Sequence, residues 1–101
     1  MITEIVYRDR DNINSLELRA NGVAQDITGT TRMTLQVGDK LIDSNLAANA
    51  FDWSTNGSAG QLDLVLGHQG LEAGTYTASL VVYDLTYPKG LCWGDFVIRV
   101  R

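Results

Sequence analysis

Along most of the chain, apolar and polar residues alternate with a period of two, the pattern of strands that bury one face. Ser15-Leu16-Glu17-Leu18-Arg19-Ala20 alternates up to Asn21-Gly22, a pair that tolerates positive φ and marks a tight reversal. Arg32 to Val37 alternates and stops at Gly38-Asp39, and Gln61 to Leu66 alternates and stops at Gly67. Thr75 to Tyr83 sets Tyr76, Ala78, Leu80 and Val82 on one side and Thr75, Thr77, Ser79 and Val81 on the other. Asp95 to Arg101 alternates again. Weaker runs fill the gaps: Thr3 to Arg8, with Ile5 and Tyr7 sharing a face, then Leu41 to Asp43 and Ala50 to Trp53. Only Ser44 to Ala50 has a helical composition, and it spans about two turns. Turn residues at Asn56-Gly57, Gly70, Gly74 and Pro88-Lys89-Gly90 separate the remaining runs. About seven to eight short strands in 101 residues predict an all-β fold, a single antiparallel β-sandwich over residues 1–101, with a small barrel as the competing architecture.

The same alternation selects the core: Ile5, Leu16, Leu18, Ile27, Met33, Leu35, Val37, Leu62, Leu64, Leu66, Tyr76, Leu80, Val82, Phe96 and Ile98. Each contributes roughly 1.5–3 kcal/mol on burial, before the entropy of ordering is charged against it. Composition changes this picture little, since 45% hydrophobic and 20% charged residues are ordinary for a globular domain. Charge is more telling. Eight Lys plus Arg against twelve Asp plus Glu leave a net charge of -4, which argues against nucleic acid as the main partner. No apolar run approaches the ~20 residues a bilayer helix needs, so no membrane partner is expected. The opening MITEIVYRDRDN lacks a basic start followed by an apolar stretch, so no signal peptide is expected.

Candidate chemistry is sparse. One cysteine, Cys92, permits no intrachain disulfide, which fits folding in a reducing compartment. Cys92 with the single histidine, His68, would make a nucleophile–base pair only if the fold brought them together. Their simpler roles are a small hydrophobe within Leu91-Cys92-Trp93 and a solvated residue in a glycine-flanked loop. Asp9-Arg10-Asp11-Asn12 has oxygen donors at alternating positions, as a calcium loop does, but no glycine or glutamate follows at the spacing an EF-hand requires. It reads as a solvated turn. No phosphate loop and no Gly-x-Ser-x-Gly elbow occurs. No catalytic residue, metal or cofactor is expected.

Aromatic residues outside the core pattern are the candidate site. By parity with Phe96 and Ile98, Cys92 points inward and Trp93 outward, unless Gly94 marks a bulge that resets the face. With Trp93 outward, Trp93, Tyr83, Val81 and Val97 make an apolar patch suited to a protein partner, and Tyr87 sits in the adjoining turn. Alternatively, Trp93 packs on a neighbouring loop or strand. A second use of such residues is stacking on sugar rings, with Trp53, Trp93 or Tyr87 as platforms in a carbohydrate-binding module. A final strand ending in Arg99-Val100-Arg101 would leave one sheet edge open to strand addition.

Several segments in order carry a resemblance. Tyr7 to Asn12 resembles an "R-G-D-T" type opening turn, although Asp9-Arg10-Asp11 stands where a glycine is usual. Val23 to Met33 is similar to a "D-L-T-G-a-t-v" element, in which Asp26 and Thr28 would bond neighbouring backbone and Gly29 would supply a permissive φ. Gly60 to Leu66 resembles "G-x-l-x-l-x-L", Glu72 to Tyr76 "x-p-G-x-Y", and Gly94 to Ile98 "G-x-F-x-V". Together they resemble the immunoglobulin-like β-sandwich domains of phage virion proteins, as in the N-terminal domain of baseplate upper proteins. The resemblance implies a non-enzymatic structural protein of a tailed-phage virion, located in the particle. It would bind other virion proteins at the tail, baseplate or fibre region, or decorate the capsid. A homo-oligomer or other symmetric assembly is the expected state.

Overall fold

The computed structural model describes residues 3–101. Its strands are β1 (Thr3–Val6), β2 (Asn14–Glu17), β3 (Arg19–Ala20), β4 (Val23–Ala24), β5 (Thr30–Val37), β6 (Lys40–Asp43), β7 (Phe51–Asp52), β8 (Gln61–Leu64), β9 (Gly74–Asp84) and β10 (Leu91–Val100). A five-stranded sheet in the order β1-β10-β9-β5-β6 packs over a three-stranded sheet in the order β2-β8-β7, and β3 and β4 form a separate hairpin. The strand order is that of an immunoglobulin-like sandwich: β2, β8 and β7 stand as strands B, E and D, and β5, β6, β9 and β10 as C, C′, F and G. The barrel alternative is not realised: among the described residues no strand of the five-stranded sheet pairs with one of the three-stranded sheet.

Turn chemistry places the strands. Asn21 and Gly22 both have positive φ (53° and 79°), the two-residue reversal that pairs Arg19 with Ala24. Ser44 to Ala50 does not form the expected helix; only a 3-10 turn at Ala48–Ala50 appears. The run from Ser15 to Ala20 is also not one strand, because the chain leaves the small sheet at Leu18, whose N–H donates to Gly60 O at 2.7 Å. Gly29 keeps an ordinary φ, so it supplies no special conformation.

Leu18, Ile27, Met33, Leu35, Val37, Leu62, Leu64, Leu66, Leu80, Val82, Phe96 and Ile98 are all buried between the sheets, as the alternation predicts. Leu16 and Tyr76 are only half-buried, packed against the rim of that core. Ile5 does not belong to it: Ile5 is 37% exposed and Val6 is fully buried. The reason is pairing. β1 runs parallel to β10, matching Val6 with Val100 and Ile5 with Arg99, the one parallel pairing among the described strands of an otherwise antiparallel sandwich. Parallel docking turns toward the core the face of β1 that its stronger hydrophobe does not occupy.

Candidate functional site

The five residues singled out from the sequence do not form one patch. β10 carries a bulge between Cys92 and Gly94: Cys92 pairs with Val81 and Gly94 with Leu80, leaving Trp93 as the extra residue. One inserted residue reverses parity. Cys92 is therefore exposed on the outer face of the large sheet, while Trp93 turns inward and packs half-buried against the core. Gly94, at φ 146°, supports the irregularity with a backbone conformation that favours glycine.

Val81 and Tyr83 do lie on the outer face, yet the 85–90 loop folds back over them. A Cβ at Gly90 would fall 2.6 Å from Val81 Cγ1 and 2.7 Å from Tyr83 Cε2, so only a glycine lets the loop lie this close. From the other side, the Arg32 guanidinium covers Tyr83, 4.8 Å from its ring centroid. Arg32 is fixed there by a two-pronged bond to Asp43, Nε to Oδ1 at 3.0 Å and Nη2 to Oδ2. That guanidinium, with the Asn45 N–H, holds the Asp43 carboxyl below its ordinary value. Val97 is half-buried opposite Thr77, about 20 Å along β9 from Tyr83.

Exposed apolar side chains collect instead at one end of the sandwich. Leu85 is 89% exposed, Val23 63%, Tyr87 48% and Leu91 38%. They belong to the 85–90 loop, the first residue of β10 and the β3–β4 hairpin, which the β2–β5 and β9–β10 connections bring to the same end. Tyr87 and Leu91 line a hollow of about 330 Å³ together with Ile27, Val82, Trp93 and two acids, Asp26 and Asp84. Tyr87 is positioned by its own loop, its N–H donating to Asp84 Oδ1 at 2.7 Å. Asp26 accepts from Thr28 Oγ1 at 2.6 Å and Thr28 N–H at 2.9 Å, which keeps its carboxyl below the ordinary aspartate value, the hydroxyl having the larger effect. A second hollow, about 440 Å³, opens on the other side of Trp93 between β2 and β10, with Leu16, Leu80 and Phe96 at its base. The bulge beside Gly94 resets the face, so Trp93 packs inward, the alternative that the sequence left open, and it lines both hollows.

The remaining candidates occupy structural positions. Trp53 is half-buried and donates Nε1–H to Thr30 O at 3.1 Å, so its ring is no exposed platform. His68 Nε2 lies 2.8 Å from Asp11 Oδ1, tying its loop to the 7–12 turn, whereas Cys92 stands on the sheet face beside Val81. The two are not brought together. Asn12 Oδ1 accepts the Tyr7 N–H, and Asp9 N–H donates to Gly67 O at 2.9 Å, so the turn that resembles a calcium loop is closed by its own bonds. Among the described residues, no three His, Cys, Asp or Glu side chains gather as a metal site would need. No described helix is long and apolar enough to cross a membrane. The expected open edge at Arg99-Val100-Arg101 is also closed, because β1 covers β10 there and Arg101 N–H donates to Val6 O at 2.8 Å. No family model matches the chain, and no curated protein matches it in sequence.

Proposed function

We propose that the chain is a non-enzymatic structural protein of a tailed-phage virion that binds other virion proteins, at the tail, baseplate or fibre region or as a capsid decoration. The observation that carries the protein-binding part is that Tyr87 and Leu91 line a hollow at the loop end of the sandwich, with exposed Leu85 and Val23 in the adjoining loop and hairpin. Apolar side chains so exposed cost solvation unless a partner covers them, and the loops at one end of such a sandwich are where this architecture carries recognition. The virion assignment rests on the ordered sequence resemblance and on the immunoglobulin-like strand order that accompanies it.

Immunogold microscopy of purified particles with an antibody against this chain tests the assignment. Label at the tail tip or fibres supports a baseplate-like position, and label over the head a decoration role. No label on intact particles, with the epitope proved accessible after mild disruption, overturns it. A second reading, carbohydrate binding, is favoured by Tyr87 and Trp93 lining one hollow with Asp26 and Asp84. A shift in tryptophan emission on titrating bacterial surface polysaccharide would bring that reading forward.

A further inference from the structure

Asparagine followed by glycine occurs twice, at Asn21-Gly22 and Asn56-Gly57. Such a pair can rearrange without a catalyst, because glycine has no Cβ to obstruct its own nitrogen as it reaches back to the asparagine side chain. Ring closure requires rotation about the asparagine Cα–C bond until that nitrogen faces Cγ at attacking distance. The fold treats the two pairs differently.

At Asn56 the rotation is opposed. Asn56 O accepts from Ala59 N–H and Gln61 N–H, each at 3.1 Å, and both bonds would break. Gly57 is buried, and its O accepts from Ile27 N–H and Gly60 N–H at 2.9 Å. A Cβ there would lie 3.3 Å from Thr28 Cγ2 and 3.4 Å from Ile27 Cγ1, so packing closes round it. Asn21 and Gly22, by contrast, are the tip of a hairpin that forms a sheet of its own, joined by the pairs Arg19–Ala24 and Ala20–Val23. Every residue from Arg19 to Ala24 is exposed. Turning the Asn21 peptide plane undoes the reversal, so the hairpin has to open. With no buried side chain in it, that opening costs little. It stops below the hairpin, where buried Leu18 accepts from Gln25 N–H at 2.9 Å.

We infer that Asn21 is a site of spontaneous deamidation to isoaspartate, set by the fold to react ahead of Asn56. The Gly22 nitrogen gives its proton to solvent and bonds to Asn21 Cγ; the Cγ–Nδ2 bond breaks and ammonia leaves with that proton's equivalent. Water then opens the cyclic imide. Attack at the Asn21 backbone carbonyl leaves Gly22 bonded to Cγ, which is isoaspartate, and attack at Cγ gives aspartate. Nothing is oxidised or reduced. Isoaspartate carries the main chain through Cβ and Cγ, one carbon longer, so a reversal built on two residues at positive φ cannot hold it and the Arg19–Ala24 pairing is lost. The new carboxylate also adds a negative charge to a chain at -4, beside the smaller hollow that Ala20 and Gln25 help to line.

The test ages the full chain in mildly alkaline buffer, folded and in urea, and follows both sites by peptide mass spectrometry with fragmentation that separates isoaspartate from aspartate. In the folded chain Asn21 is expected to react at least about tenfold faster than Asn56, and in urea the two rates should converge, since glycine follows both. Hydrogen exchange should be faster at the Val23 amide than at that of Ile27, which is bonded to Gly57 O. A folded-state ratio no greater than the ratio in urea, or aspartate without isoaspartate at position 21, overturns the inference. The reaction does not depend on what the chain binds, so its failure and that of the particle assignment are read separately.

Discussion

Gly67 is the residue at which one methyl group would do the most harm. A Cβ there would sit 2.0 Å from Arg10 O and 2.9 Å from Tyr7 O, both backbone atoms of the turn that packs against it. Gly67→Ala is therefore expected to lower stability by at least about 2 kcal/mol, read as a drop in the urea midpoint. A midpoint within error of the parent would mean that this turn does not press on Gly67. Asp43 carries a pH-dependent contribution. Its carboxyl titrates below the ordinary value chiefly because Arg32 bonds to it, so the folded chain holds that proton less tightly than the unfolded one. The stability it adds is complete above the unfolded-state value of about 4 and is lost as pH falls through the lowered one. Asp43→Asn should consequently be less stable than the parent at neutral pH, and the gap should close in acid. Unfolding midpoints at pH 7 and in the range of about 2–3 measure it; a gap that persists in acid would assign the effect to something other than the ion pair. The same groups show what a sequence conceals. Nothing in the order of residues says that Gly90 will lie on Val81 and Tyr83, since that contact exists only after the loop has folded back.

Strands were the most legible elements, because period-two alternation and turn residues are local properties of the chain. β5, β8, β9 and β10 fall where alternation places them, and the Asn21-Gly22 reversal has the conformation its residues favour. Two parities were not legible. In β10 a single extra residue at Trp93 moves Cys92 outward and Trp93 inward, and the only local sign is Gly94. In β1 both faces carry a β-branched apolar residue, so periodicity does not choose between Ile5 and Val6; pairing with β10 chooses Val6. Paired substitutions read this directly. Val6→Ala should cost about 1.5–3 kcal/mol, and Ile5→Ala less than about 1 kcal/mol, the reverse of what the shared face of Ile5 and Tyr7 suggests. Equal costs would mean that β1 does not dock with the face described.

For the whole molecule, the two hollows beside Trp93 have apolar floors bordered mostly by acids, while Arg32, Asp43 and the 85–90 loop cover part of the broad outer face. Leu85→Ser with Tyr87→Ser should leave the unfolding midpoint within about 0.5 kcal/mol of the parent, because both side chains face solvent, yet reduce association with particle components in co-sedimentation. Unchanged co-sedimentation would remove the loop end from the interface. The parallel pairing of β1 with β10 also has a mechanical meaning. The ladder joins Thr3 to Val97 and Val6 to Val100, so tension applied through Thr3 and Val100 pulls on its opposite ends. Such a load runs along the strands and strains the hydrogen bonds together, whereas the same tension on antiparallel outer strands would peel them apart one at a time. The seam between the first and last described strands is thus loaded in shear, so it resists such tension through all of its hydrogen bonds at once.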